Sequence, residues 1–213
     1  KELFLSFAKA EVGYKETPTD INKYAQELHK AGYYNGNKNG FPWCCCFVDW
    51  CAYKAANNDK ILADNVFHQT GNLGASVYWM ASYYKDAGKF KHTNPSPGDI
   101  VFFKNFAHVG IVEGVEGNYL YTIEGNTNVP EKCDCACSVA RHRYYIPTTK
   151  IDGYGSPDFE DSPEKPSSWA MEACVYCVSK GIFIGDGDGK YRWHDPITRE
   201  EAAVLIHRLT KGG

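Results

Sequence analysis

The spacing of apolar residues changes once along this chain, and that change limits the folds open to it. In the first part apolar side chains return at one-turn intervals, which predicts helices. Residues 2–12 form the first. Asp20 is the expected cap of a second, burying Ile21, Tyr24, Ala25 and Leu28. A third begins after Trp43 and buries Val48, Cys51, Ala52 and Ala55; a fourth after Gly74 buries Val77, Met80, Ala81 and Tyr84. The turn cluster Asn94-Pro95-Ser96-Pro97-Gly98-Asp99 then ends the helical period. Beyond it the period is two, in Ile100–Phe103, His108–Val115, Tyr119–Glu124 and Val139–Ile146, each rich in β-formers. Helices first and a strand meander second predict an α+β fold, the helices segregated from an antiparallel sheet.

With 213 residues the chain can bury a sizeable core in one or two domains. A formal charge of −3 leaves no basic stripe of the kind phosphate backbones select, so no nucleic-acid partner is expected. No apolar run approaches the roughly 18 residues of a membrane span, so no membrane partner is expected either. Nine cysteines is an odd number, so at least one thiol stays unpaired. They are clumped: Cys44, Cys45, Cys46 and Cys51, then Cys133, Cys135 and Cys137, then Cys174 and Cys177. Adjacent cysteines reach disulfide geometry poorly, which favours a reducing setting over a secreted disulfide knot.

Between Gly153 and Ser168 the composition shifts to Gly, Ser, Pro, Asp and Glu, with Pro157, Pro163 and Pro166 stiffening it. The expected organisation is a domain over 1–155, a Pro-rich linker over 156–166 and a small helical module over 167–213. In that module Ala170, Ala173, Cys174 and Cys177 make one helical face, which favours core packing over zinc for the two cysteines; Gly181 stops that helix. Thr198 and Glu201 form a capping box for a second helix that buries Ala202, Leu205, Ile206 and Leu209.

One thiol sits where chemistry is favoured. Gly40-Phe41-Pro42-Trp43-Cys44 ends a turn-rich loop as the third helix starts, and unpaired amides and the helix dipole there stabilise a thiolate and cradle an oxyanion. Cys44 is the expected nucleophile; Cys45, Cys46 and Cys51, further into the helix, read as inert core thiols. His108 opens a strand directly after a loop, so its ring can reach a helix N-terminus at that end of the sheet. Glu124 lies among apolar neighbours, where an unpaired carboxylate is costly. A Cys, a His and a carboxylate compose a nucleophile, a general base and an orienting acceptor.

These residues sit in runs that resemble the CHAP family of cysteine, histidine-dependent amidohydrolases/peptidases. The runs are Phe41-Pro42-Trp43-Cys44 with Phe47-Val48 and Trp50-Cys51, Pro97-Gly98-Asp99-Ile100-Val101-Phe102-Phe103, His108-Val109-Gly110-Ile111-Val112 and Ile123-Glu124-Gly125-Asn126-Thr127. The resemblance covers roughly residues 1–155. It implies a papain-like α+β fold and hydrolysis of a peptidoglycan amide, with Cys44 as nucleophile, His108 as base, Glu124 as orienter and Asn126 as polar support. In detail it points to endolysin-type enzymes of phage or prophage origin, acting at the cell wall after release by host lysis. The favoured reaction is that of an N-acetylmuramoyl-L-alanine amidase; the alternative is a stem or cross-bridge endopeptidase. Rivals from other classes are a catalytically weak envelope-binding protein and a Cys-rich metal-binding protein.

No cofactor is expected. Some CHAP enzymes bind calcium just upstream of the nucleophile, but Asn35-Gly36-Asn37-Lys38-Asn39 offers amides and a lysine instead of carboxylates. In Cys133-Asp134-Cys135-Ala136-Cys137 alternate residues point three thiols one way, which with a fourth ligand would suit zinc; the spacing is not that of a zinc ribbon, and reduced or partly paired thiols are preferred. The tail resembles a single S-layer homology repeat, in Trp169-Ala170, Gly181-Ile182, Gly185–Tyr191 and Asp195-Pro196-Ile197-Thr198-Arg199-Glu200-Glu201-Ala202. That implies binding to secondary cell-wall polymers, or self-association, through 167–213. The aromatic residues Trp43, Tyr33, Tyr34 and Trp79 are placed near the cleft. Finally, a three-residue loop Val115-Glu116-Gly117 is expected to set His108 straight across from Glu124; a two-residue turn would move Glu124 to the other face.

Overall fold

A computed structural model describes residues 1–17, 20–128, 137–146, 148, 150–159, 166–186 and 191–211. Five helices precede the sheet: α1 (Glu2–Ala10), α2 (Lys23–Lys30), α3 (Cys44–Ala55), α4 (Lys60–Val66) and α5 (Val77–Asp86). Strands β1 (Phe90–Lys91), β2 (Ile100–Phe103), β3 (His108–Glu116), β4 (Tyr119–Thr127), β5 (Ser138–Tyr145) and β6 (Ile151–Gly155) follow. They pair antiparallel in the order β1-β6-β2-β3-β4-β5. The α+β class is as expected. Helix α4 and strands β1 and β6 were not anticipated: α4 is only two turns long, and β6 runs through Gly153 and Gly155, which read as turn residues until Phe90 and Tyr84 are seen packed on them.

Local chemistry explains most boundaries. Asn22, not Asp20, caps α2, its side chain accepting from Ala25 N at 2.9 Å, while Asp20 takes a left-handed backbone (φ 57°). Ile21 is accordingly only half-buried. Val77, Met80, Ala81 and Tyr84 of α5 are buried as their spacing requires.

The main core forms between the helices and one face of the sheet. Val109, Ile111 and Ile123 point into it, together with Phe102 and Ile100. Alternate residues Val101, Phe103, Val112 and Leu120 form a smaller cluster with Tyr154 on the other face. Helix α3 packs on β3 and β4, and Gly125 makes that approach possible: a Cβ there would lie 2.5 Å from Phe47 Cβ and 2.9 Å from the Trp43 ring.

Beyond residue 166 come a 3-10 turn (Ser168–Ala170), α6 (Met171–Ser179) and α7 (Arg199–Lys211). Gly181 (φ 67°) ends α6 as expected. The buried face of α6 is Val175 and Val178, continued by Ile182, rather than Ala173, Cys174 and Cys177. The reason is tertiary: α6 packs against α1, and Val175 and Val178 join the main core, which selects a different stripe of the helix. The capping box is formed, Thr198 N donating to Glu201 Oε2 (2.7 Å) and Glu201 N to Thr198 Oγ1 (3.1 Å). Helix α7 nonetheless leaves Ile206 and Leu209 more than half exposed, so it does not bury the face its pattern suggested. No helix among the described residues is long and apolar enough to cross a membrane.

Two outcomes follow. Gly125→Ala should destabilise the chain by about 1–3 kcal/mol through overpacking, read from denaturant unfolding. Deleting residues 167–213 uncovers apolar surface on α1, so the truncated chain should unfold at lower temperature than the full chain.

Candidate active site

Trp43 takes the N-cap position of α3 without a side-chain cap, leaving the first helical amides unclaimed by any capping side chain. Trp43 itself is anchored. Its indole Nε1 donates to Glu16 Oε2 (2.7 Å), and the same buried carboxylate accepts Asp20 N (2.8 Å) and Cys137 N (3.1 Å). Glu16 therefore ties the N-terminal segment and the start of β5 to the residue that introduces the helix. Sequence reasoning missed it, because nothing local marks a glutamate as the meeting point of three distant segments.

Cys44 opens α3, 4% exposed. Its thiol is held well below the ordinary range: Cys45 hydrogen-bonds to it, burial opposes, and the His108 ring and Val109 N–H then favour the thiolate. Its helical neighbours move the opposite way. Cys45 is raised well above the usual range by its bond to Cys44 and by burial; burial first, then Asp49, pushes Cys46 up to about 12. Burial also raises Cys51. Among the three adjacent thiols only Cys44 is shifted toward the thiolate, the form in which a cysteine is nucleophilic.

His108 bonds on both sides. Its Nε2 lies 2.8 Å from Glu124 Oε2, and the ring also bonds to Cys44, which leaves Nδ1 for the thiol. Burial lowers its pKa, but the bonds and charges of Cys44 and Glu124 outweigh that and lift it to about 9. Glu124 is 1% exposed, and burial alone would raise it; the His108 bond and charge, Thr122 and His142 instead bring it below the usual carboxylate range. Thr122 Oγ1 donates to Glu124 Oε1 at 2.6 Å. Glu124 also bonds to the hydroxyl of Tyr144. Thr122 was legible in principle, since it lies two residues before Glu124 on the same face; Tyr144 needed the β4–β5 pairing.

The register that makes this contact is not the expected one. The β3–β4 turn has two central residues, Gly117 and Asn118, with Glu116 opposite Tyr119, and Gly117 (φ 56°) stands first in the turn, where type II′ wants glycine. That turn alone would send Glu124 to the other face. A bulge between Val112 and Gly114 restores it, and beyond the bulge Ile111 pairs with Ile123. The same register sets Gly110, not His108, opposite Glu124, and a Cβ on Gly110 would lie 2.6 Å from Glu124 Cγ. The carboxylate thus folds over a glycine and reaches His108 diagonally. Glu113, the extra residue, makes a bidentate pair with Arg141 (2.8 and 3.0 Å).

His108, Gly110, Thr122 and Glu124 share the face of the smaller cluster, whereas α3 covers the opposite face. The imidazole meets the thiol because His108 is the first residue of β3, at the end of the sheet where the Val109 amide also reaches Cys44. Asn126 lies beside them in a second bulge, with a left-handed backbone (φ 54°) and a buried Oδ1 that has no hydrogen-bond partner among the described residues.

The other expected site residues divide sharply. Trp43, Tyr33 and Tyr34 are buried in the core rather than set on a surface; Trp79 is 58% exposed. Cys133 and Cys135 lie outside the described residues, and Cys137 is a half-buried free thiol. In the loop before Cys44 the three amide oxygens already accept hydrogen bonds, Asn35 from Lys38 (3.1 Å), Asn37 from Asn39 N (2.9 Å) and Asn39 from Asn22 N (3.1 Å). Such oxygens make a poor calcium cage.

Three measurements check this geometry. Iodoacetamide at neutral pH should label Cys44 ahead of Cys45, Cys46 and Cys51, read by peptide mass spectrometry. Activity should survive EDTA; loss on chelation with rescue by calcium would contradict the amide assignment. Gly110→Ala should displace Glu124 and lower the pKa of His108, read by NMR titration of the imidazole.

Residues 36–126 match the family model of the CHAP domain and residues 158–203 that of the S-layer homology domain. A stretch of 57 residues is 42% identical to the outer membrane protein SlpA of Thermus thermophilus, covering 27% of this chain and 6% of that protein. The chain is also similar to the crystal structure of Ly7917 (TM-score 0.42, 18% identity, 73% of this chain and 62% of that one) and to that of Ly7917 with the hydrolysing product of MDP (TM-score 0.42, 16% identity). The chain thus spans a small part of the curated relative and less than two thirds of the solved ones. It carries a CHAP domain, which contains Cys44, His108 and Glu124, followed by an S-layer homology domain.

Proposed function

We propose that the protein is a peptidoglycan hydrolase of the cell envelope that cleaves an amide bond through Cys44, His108 and Glu124. The observation that carries this reading is the low-pKa thiol of Cys44 bonded to a His108 ring that is itself bonded to a buried carboxylate, inside a CHAP domain. In the proposed reaction the thiolate adds to the amide carbonyl, and α3 amides with no capping side chain stabilise the oxyanion. The imidazolium then gives its proton to the leaving amine as the C–N bond breaks, leaving an acyl thioester. Neutral His108 takes a proton from water, whose oxygen adds to the thioester; its collapse releases the acid and regenerates the ion pair. Glu124 keeps Nε2 occupied, so that Nδ1 faces the sulfur. Asn126 serves as a polar support beside the ring.

Within this class the favoured bond is that between N-acetylmuramic acid and L-alanine, with an endopeptidase as the alternative. The S-layer homology domain supports attachment to cell-wall polymers, which would hold the enzyme at its substrate. The two domains are read as a catalytic unit over 1–155 and a wall-binding unit over 167–213.

Cys44→Ala should abolish release of new amines or carboxylates from purified walls, while Cys45→Ala and Cys46→Ala retain much of it; full activity in Cys44→Ala would sink the assignment. Mass spectrometry of the soluble products identifies the bond. Activity should follow a bell in pH. As pH rises through about 9, His108 loses the proton it must give to the amine, and kcat/KM falls. As pH falls below the depressed Cys44 pKa, the thiolate is protonated and the rate falls again. Glu124→Ala removes the charge that raises His108, so the alkaline limb should move to lower pH and kcat should drop by on the order of a hundredfold.

A further inference from the structure

A cavity of about 420 Å³, within the usual size for a ligand site, opens between the loop before the nucleophile and the start of α5. Asn35, Lys38, Asn72, Ser76, Trp79 and Tyr83 supply its polar and aromatic lining. We propose that it is a subsite for an N-acetylhexosamine unit of the glycan strand; this rests on the hydrolase reading and names the part of the substrate held there.

The chemistry of the lining is that of a ring with an apolar face and a polar rim. Trp79 leaves 58% of its surface to solvent, beside Tyr78 at 59%, on a helix that buries Met80 and Tyr84 on its other side. Its indole is braced edge-on by Tyr78, with ring centroids 5.5 Å apart and planes at 80°. A fixed aromatic face beside hydrogen-bonding groups suits the C–H face of a pyranose. Around it the donors outnumber the acceptors. Lys38 gives one proton to Asn35 Oδ1 (3.1 Å) and is in no ion pair among the described residues, so two remain for a ligand. The Asn72 carbonyl accepts from Gly74 N (3.2 Å), which leaves its NH₂ as a donor. The Tyr83 hydroxyl donates to Gly71 O (3.2 Å) and keeps lone pairs for a hydroxyl. No carboxylate lines the cavity, which argues against a cation. An acetamido carbonyl and ring hydroxyls match this set.

Its position suits a strand that continues to the reacting amide. Asn35 and Lys38 belong to the loop that leads into Cys44, and the Lys38 charge acts on the neighbouring Cys46 thiol. On the other side Tyr78 meets Phe106, two residues before His108, with ring centroids 6.4 Å apart.

The test is a titration of the full chain carrying Cys44→Ala with an N-acetylglucosamine tetramer, followed by calorimetry and tryptophan fluorescence. Saturable binding is expected. Trp79→Ala in the same background should weaken it about tenfold or more, one aromatic stacking contact being worth that factor. Ile61→Ser, at an exposed apolar residue of α4 that does not line the cavity, should leave it unchanged. Thermal unfolding of each variant separates lost binding from lost folding. The proposal is overturned if no saturable binding occurs at millimolar sugar, if Trp79→Ala binds as before with its fold intact, or if a sugar-free stem peptide binds at this cavity and the tetramer does not. Because this experiment needs no turnover, failure of the hydrolase reading shows separately, as wild-type protein that releases nothing from walls.

Discussion

A thiolate inside a protein must be compensated where it stands, and the part of this chain that holds Cys44 is arranged around that requirement. At 4% exposure Cys44 gains little from water, so its charge depends on a neighbouring S–H, an amide and an imidazolium. The imidazolium is buried too and needs its own counter-charge in Glu124. That carboxylate in turn is held by Thr122 and Tyr144, and lies in the space left by a missing side chain at Gly110. Each group is tolerable only because the next is present, which is why the site extends across three strands rather than ending at a pair.

The same logic fixes the backbone around it. Helix α3 must bring its first turn to the end of the sheet, and it does so by closing on Gly125 while Glu16 holds Trp43 from the other side. Deeper along the helix, Asp49 is 2% exposed and bonds to the Tyr34 hydroxyl at 2.5 Å; burial pushes it up to about 7. A second full charge behind the thiolate is thereby partly relieved. The two buried carboxylates beside α3, Asp49 and Glu16, each have a partner, Tyr34 and Trp43, that fixes the helix in place.

The tail shows a different balance. Val175, Val178 and Ile182 of the α6 region are buried, Val175 and Val178 in the main core, while α7 keeps Val204, Ile206 and Leu209 in solvent. Its N-terminus is well made, with both bonds of the capping box in place, so the helix is specified locally even where its apolar face is uncovered.

Much of the local chemistry was written in the residues: the change of apolar period gave the α+β class, the Trp43-Cys44 junction gave the helix start, and Thr198 with Glu201 gave a cap, whereas the cap of α2 fell on Asn22 and not on Asp20. That Cys44, His108 and Glu124 belong together was also legible, because a cysteine at a helix start, a histidine at a strand start and a glutamate among apolar residues are each local signals. Tertiary structure decided how they meet. The expected three-residue loop and the observed two-residue turn differ by one residue, enough to reverse every side chain of β4, and only the bulge near Glu113 returns Glu124 to the face of His108. A bulge is set by what the strand must satisfy on both sides, here a carboxylate over Gly110 and the Glu113–Arg141 pair with β5. Which aromatic residues became core, that Glu16 joins three segments, and which stripe of α6 is buried were likewise fixed by partners distant in sequence, and no short window of the chain contains both members of such a contact.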